Sequence, residues 1–289
     1  MSTKQRDWLK PQLIVIFVGF FWMSLLSGMA QLLHVSHSSY DLKEDELKSL
    51  KQKAEIGDAE AAWRIHLYYA IELHEGNSSN DWARRAAKLG HPQGQRIVAD
   101  GIKRSRESYE GFGATAQDAV RNLLEKASRS SSQAGYELGS AYAEGYFGKP
   151  DPMQARYYFN QSAEMGDSMA WRKMAEYCHH GVGGPRDDSS AYYWISLDAR
   201  CVHPGSIGGK EIWALRNEIS TSLSLAQFEQ QWKRIDAYIA NVRSGKVKLP
   251  SPPFLKGLIK SKDSDEGEVL ADKQEAEHRE QMRKKLTPQ

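Results

Sequence analysis

Five sets of residues in this chain have the types and spacing to do chemistry. His179 and His180 are the first, because adjacent histidines suggest a metal. Consecutive helical side chains diverge by about 100°, so the two cannot chelate one ion as an i, i+4 pair can. They read instead as exposed histidines at a helix end, and no metal is expected. Ser206-Ile-Gly-Gly-Lys210 invites comparison with a phosphate-binding loop. The required first glycine would stand where Pro204 is, and Lys210 is followed by Glu211 rather than Ser or Thr. It reads as loop punctuation. Glu137, Glu144 and Glu176 could serve acid–base chemistry only if they clustered and had raised pKa values; otherwise they are solvated helix residues. Cys178 and Cys201 fall at the ends of two successive helices, roughly 18 Å apart at 1.5 Å per residue. A disulfide needs Cα atoms within about 7 Å, so no disulfide is expected and two free or buried thiols are. Tyr157 and Tyr193 are the fifth set. They are speculative protein-binding residues that recur at one place on consecutive helices, either packed between units or forming an exposed aromatic ladder. No GxSxG, HExxH or dinucleotide fingerprint occurs, so no catalytic residue, cofactor or enzymatic activity is expected.

The elements that would carry these residues form a repeat. Shifting residues 135–164 by 36 places Leu138 on Met174, Gly145 on Gly181 and Asp151 on Asp187. It also places Ala155 on Ala191, Tyr158 on Trp194 and Ala163 on Ala199. Ala54-Glu-Ile-Gly-Asp58 returns as Ala163-Glu-Met-Gly-Asp167, and Ala87-Lys-Leu-Gly90 lies between. Units therefore begin near Gly57, Gly90, Ser131 and Gly166. Within the last, Asp167 or Ser168 can cap a helix whose face is Ala170, Trp171, Met174, Ala175 and Cys178. Gly181-Val-Gly-Gly-Pro185 stops that helix. Asp187, Asp188 or Ser189 starts a second, with Ala191, Trp194, Ile195 and Asp198/Ala199 inward. Neither helix can bury its face alone, so the units must stack.

These residues resemble the Sel1-like repeat family, relatives of tetratricopeptide repeats. The carriers are Ala163, Gly166, Asp167, Ala170, Tyr177, Gly181-Val182-Gly183, Asp187, Ala191, Trp194 and Ala199 in one unit. In the unit before it they are Leu138-Gly139, Tyr142, Gly145, Asp151, Ala155, Ala163 and Gly166. The match is partial at 54–90 and weak at 91–130. The resemblance implies an all-α fold, an α/α superhelical solenoid of helix–turn–helix repeats that serves as a protein-binding scaffold. Cysteine-rich members would pair Cys201 with a position near Trp171, which is not a cysteine.

The flanks complete the expected organisation. Residues 12–33 contain no charge and would span roughly 33 Å as a helix, enough for a hydrocarbon core of about 30 Å. Lys4, Arg6 and Lys10 precede the segment and an acidic stretch follows, which predicts N-terminus inside and body outside. Gly28-Met29-Ala30 leaves a cleaved signal open, with cutting near Ala30. The expected divisions are a cytoplasmic tail at 1–11, a membrane anchor at 12–33, a juxtamembrane linker at 34–49 and Sel1-like repeats at 50–203. A helical cap at 204–245 follows, built on Lys210–Ser222 and Leu225–Arg243, then a Pro-containing linker and charged tail at 246–289. The tail reads as disordered or as one solvated helix near 265–286. The net charge of +2 sits in the first 33 residues, leaving 36 basic against 36 acidic residues. A neutral body argues against a nucleic-acid partner.

The leading expectation is a scaffold in a bacterial inner membrane, single-pass, with a periplasmic body that binds an unidentified protein. Alternatives are a soluble periplasmic form, an immunity protein against a periplasmic effector such as a lipase, and an envelope polymer-binding enzyme.

Overall fold

The computed structural model describes residues 40–202, 206–246 and 265–287. The anchor or signal expected at 12–33 lies outside them, as do 247–264. Every regular element among the described residues is a helix, and none of these helices is long and apolar enough to cross a membrane.

The chain divides into two compact units after Trp82. The first contains α1 (Glu44–Glu55), α2 (Ala59–Leu67) and one π-helical turn (Tyr68–Glu72). Helix α1 begins inside the stretch expected as a linker, with Glu44, Asp45 and Glu46 in its first turn, where carboxylates complement the helix dipole. Asp58 caps α2 by accepting from the Ala61 N–H. Leu50, Ala54, Ala61, Ala62 and Ile65 are buried. The boundary between the units falls within α3 (Gly76–Lys88).

The second unit continues with α4 (Pro92–Lys103), α5 (Ala116–Ser128), α6 (Ser132–Glu144), α7 (Pro152–Glu164), α8 (Ser168–His180) and α9 (Asp188–Ala199). It closes with α10 (Ile207–Ser220), α11 (Leu225–Arg243) and α12 (Asp265–Leu286). Eight successive helices, α4 to α11, begin on a side-chain cap: His91, Thr115, Ser131, Asp151, Asp167, Asp187, Ser206 and Ser224. Each satisfies a backbone N–H that the first turn leaves without an intrahelical partner, worth about 1 kcal/mol. Ser224 and Gln227 form the full reciprocal capping box. Helices α6 and α8 both end on a left-handed glycine, Gly145 at φ +75° and Gly181 at φ +68°, a conformation that a Cβ disfavours. The weakly patterned stretch 91–130 nevertheless makes a complete pair, α4 and α5, because Val98, Ala99 and Ile102 face Ala119, Val120, Leu123 and Leu124 across one core.

A second core joins α7 to α12. Ala155, Ala163, Ala191 and Ala199 are buried in it, as are Phe159, Trp171 and Trp194. Small alanines at fixed places let the helices approach, and Trp171 Nε1 donates to the Ala163 carbonyl at 2.8 Å to tie consecutive repeats together. This is an α solenoid.

The described C-terminal residues differ from two expectations. Ser206 to Lys210 is not a loop: Ser206 caps α10, and Gly208, Gly209 and Lys210 lie in its first turn. The charged stretch expected as disordered or solvated carries α12, whose last turns are docked. Met282 and His278 are buried, and Leu286 packs against the core. Arg279 stands 3.6 Å above the Trp232 ring and pairs with both oxygens of Asp236 at 2.6 and 3.1 Å. Composition misses this because the apolar and aromatic-facing residues number only one per turn.

Candidate functional site: a groove between two repeats

Helix α7 presents Met153, Arg156, Tyr157 and Asn160 along one face, at three- and four-residue steps. Together with Met174 and Cys178 of α8, and Ser190 and Trp194 of α9, they line a groove of about 360 Å³. Gly183 completes the wall; a Cβ there would run into the Pro152 carbonyl, and its φ of +67° already requires glycine. Two large apolar side chains stand open at the lip, Met153 at 71% and Tyr157 at 61% exposure. Arg156 does not project into solvent. Its guanidinium donates to the Val182 and Pro185 carbonyls at 3.3 and 3.2 Å and to Cys178 Sγ at 3.4 Å. Burial pushes the Cys178 thiol up, against the opposing charge of Arg156, so it is held as a thiol rather than a reactive thiolate.

The two tyrosines expected as a possible ladder have opposite fates. Tyr157 is open, whereas Tyr193 is only 8% exposed. The Arg234 guanidinium of α11 lies 4.2 Å from the Tyr193 ring centroid. The whole neighbourhood follows suit. Ser189, Tyr192, Tyr193 and Ser196 stand 36 residues after the groove's Met153, Arg156, Tyr157 and Asn160, and the cap covers them. Gln231 donates to Ser189 Oγ at 2.7 Å, Trp232 Nε1 to Tyr192 Oη at 3.1 Å, and Arg216 to Tyr192 Oη and Ser196 Oγ at 3.2 and 3.1 Å. Sequence reasoning found Tyr157 from its 36-residue recurrence. It missed Met153, Asn160 and Trp194 as groove residues, although the first two lie one helical turn before and after Tyr157 on the same face.

The other candidates are tied into the fold. His179 is buried, not exposed; its Nδ1 lies 2.7 Å from Asp188 Oδ1 and its Nε2 3.6 Å from Glu218. The reason is position: the last turn of α8 faces the first turn of α9, and Asp188 sits there. His180 is exposed, as expected. Burial raises the Asp188 carboxyl, but hydrogen bonds from Arg186 and His179 outweigh it and hold the group below the ordinary aspartate value. Glu137, Glu144 and Glu176 do not share a site; each has its own cation, Arg96 at 2.9 Å, Lys103 at 3.1 Å and Lys173 at 2.9 Å. Burial raises the Glu137 carboxyl, opposed by Arg96. Cys178 and Cys201 are both free thiols, and burial pushes Cys201 up to about 12. No group of three or more His, Cys, Asp or Glu among the described residues could hold a metal ion.

The sequence matches the Sel1 repeat family model at residues 78–91, 132–167 and 169–197. No curated protein matches the chain. Among solved structures it is similar to a protective antigen of uropathogenic Escherichia coli displaying an SLR fold, at 23% identity and a TM-score of 0.43, over 72% of this chain and 52% of that one. It is also similar to a Sel1 repeat protein from Oxalobacter formigenes, at 22% identity and a TM-score of 0.48, over 61% of this chain and 50% of that one. The chain thus spans about half the length of each of these two structures. The family match is fullest at residues 132–167 and 169–197, so this part of the chain is similar to Sel1 repeats.

Proposed function

We propose that this chain is a protein-binding scaffold whose docking surface includes the groove between α7, α8 and α9. Sel1 repeats generally mediate protein–protein interaction. The observation that carries the reading here is the pair of exposed side chains at the groove lip, Met153 and Tyr157. Each is the kind of residue enriched where interfaces concentrate binding energy. Neither is needed by the fold as the buried faces of α7 are.

Residues 12–33 tether the body to a membrane, and the basic residues before them orient it outward, to the periplasm of a bacterial cell. The apolar length of that segment and its flanking charges support this part of the proposal. Site-specific photocrosslinking in cells tests the groove. A photoreactive phenylalanine at position 157 should give a discrete crosslinked protein, and the same probe at Lys126, on the exposed side of α5, should not. Equal labelling from both positions, or none from 157, would remove the groove from the reading. A protease added to spheroplasts should degrade the body; protection of residues 40–246 would place it on the other side of the membrane.

A further inference from the structure

We propose that α12 is a displaceable latch, and that the aromatic groove it covers on the cap is a second docking surface, for a partner helix carrying the same side-chain pattern. This surface shares no residue with the groove between α7, α8 and α9, and the two readings stand or fall separately.

The occupied joint shows the pattern. His278, Met282 and Leu286 stand at four-residue steps and so share one face of α12. The His278 ring centroid lies 6.4 Å from that of Tyr192, 6.4 Å from Trp213 and 6.2 Å from Phe228. Met282 is buried, and its sulfur accepts from Ser220 Oγ at 3.5 Å. Leu286 packs against the same core. Arg279 and Arg283, also four residues apart, flank that face. Their guanidiniums stand 3.6 and 5.8 Å from the centroid of the Trp232 ring. Each has a carboxylate of α11 beside it, Asp236 at 2.6 Å and Glu229 at 3.4 Å. A planar head that stacks on a ring while its edge reaches a carboxylate is a geometry lysine does not reproduce. The groove therefore selects a helix with an apolar or imidazole side chain at every fourth place, and arginine one place after each of the first two.

The joint is held by side chains. Among the described residues no other helix packs its backbone closely along α12. Asp236 and Glu229 are about half exposed, so water and salt screen both ion pairs. A polar helix has little stability in isolation, so α12 keeps its shape through a few side chains that undock together. The floor of the groove does not depend on them. Trp232 Nε1 donates to Tyr192 Oη at 3.1 Å, and the Phe228 and Trp232 ring centroids lie 4.7 Å apart, so the aromatic surface keeps its form when the helix leaves. Because α12 belongs to the same chain, closing is intramolecular. A joint of modest affinity then stays filled until a better-fitting helix competes for it.

Titrating a fluorescent peptide of residues 265–287 with the full-length protein, followed by anisotropy, tests this. In the wild type the latch fills the groove, and the peptide should bind weakly. In the full-length variant carrying Arg279→Ala and Met282→Ala the latch is loosened, and the peptide should bind about tenfold more tightly. Adding Asp236→Lys to that variant should weaken the peptide roughly fivefold, which locates it in the groove. Equal affinity for the wild type and the loosened variant would overturn the proposal, as would indifference to Asp236→Lys or binding to neither protein. Circular dichroism of the loosened variant should show a loss no larger than the helical signal of α12. Cooperative loss of the whole fold would make α12 an integral part of the cap and overturn the latch.

Discussion

The joint between the two fullest matched repeats and the joint between the second of them and the cap differ in what covers the outer face. At the first, α7 meets α9 across an open groove, with Tyr157 exposed. At the second, α9 is sealed beneath α10 and α11, with Tyr193 under Arg234 and Tyr192 bonded to both Arg216 and Trp232. The comparison shows that a repeat position has no fixed role. Tyrosine at one register place is a structural residue where the following helix supplies a cover, and a contact surface where it does not. A stack must also end, and the last repeat of this one is closed by aromatic and guanidinium groups that the interior repeat does without.

Unequal substitution costs at equivalent places are the sharpest way to break this comparison. Trp232→Ala at the closed joint removes a buried ring, the donor to Tyr192 and the platform for Arg279, and should cost about 4 kcal/mol in a denaturant titration. Tyr193→Ala should cost about 3 kcal/mol, whereas Tyr157→Ala should stay within about 0.5 kcal/mol. Equal costs at 157 and 193 would mean that the groove is closed in solution. Gly183→Ala drives a Cβ against the Pro152 carbonyl in the left-handed region, and should cost about 2 kcal/mol while disturbing the groove wall.

Asp188→Asn weakens the hydrogen bonds to His179 and Arg186 and should cost about 1.5 kcal/mol at neutral pH. The sign of its pH dependence follows from the lowered carboxyl. That stabilisation is present above the ordinary aspartate value and is lost as pH falls through the depressed folded value. A plot of stability against pH should therefore be flatter on its acid side for the variant; parallel curves would show that Asp188 does not couple to folding. A smaller effect is expected at the docked tail. Asp236 is half exposed, so the ion pair is screened, and Arg279→Ala should cost at most about 1 kcal/mol, mostly through its stacking on Trp232. Hydrogen exchange should then accelerate over residues 276–287 and not over α9; no acceleration would mean that Met282 alone holds the helix.

Much of the scaffold could be read before any coordinates, because local signals and burial patterns agree. Asp167, Asp187 and Ser224 were legible as helix starts, since a short polar side chain before an apolar period has one favourable use. Gly145 and Gly181 were legible as stops, and Ala155, Ala163, Ala191 and Ala199 as close-packing positions. The fate of His179 was not legible, because it depends on Asp188 crossing a turn from another helix. Nor was the docking of α12, whose last turns are held by His278, Arg279, Met282 and Leu286 in a stretch that composition describes as disordered or solvated.

The sequence by itself determined the all-helical repeat, its register of 36 and the recurrence of tyrosine at 157 and 193. Those follow from periodicity and turn chemistry, which act over a few residues. Only the tertiary structure decided that one tyrosine is covered and the other exposed. That outcome turns on a contact from another helix: Arg234 of α11 stands over Tyr193, while Tyr157 keeps 61% of its surface open, which no spacing within a single helix encodes.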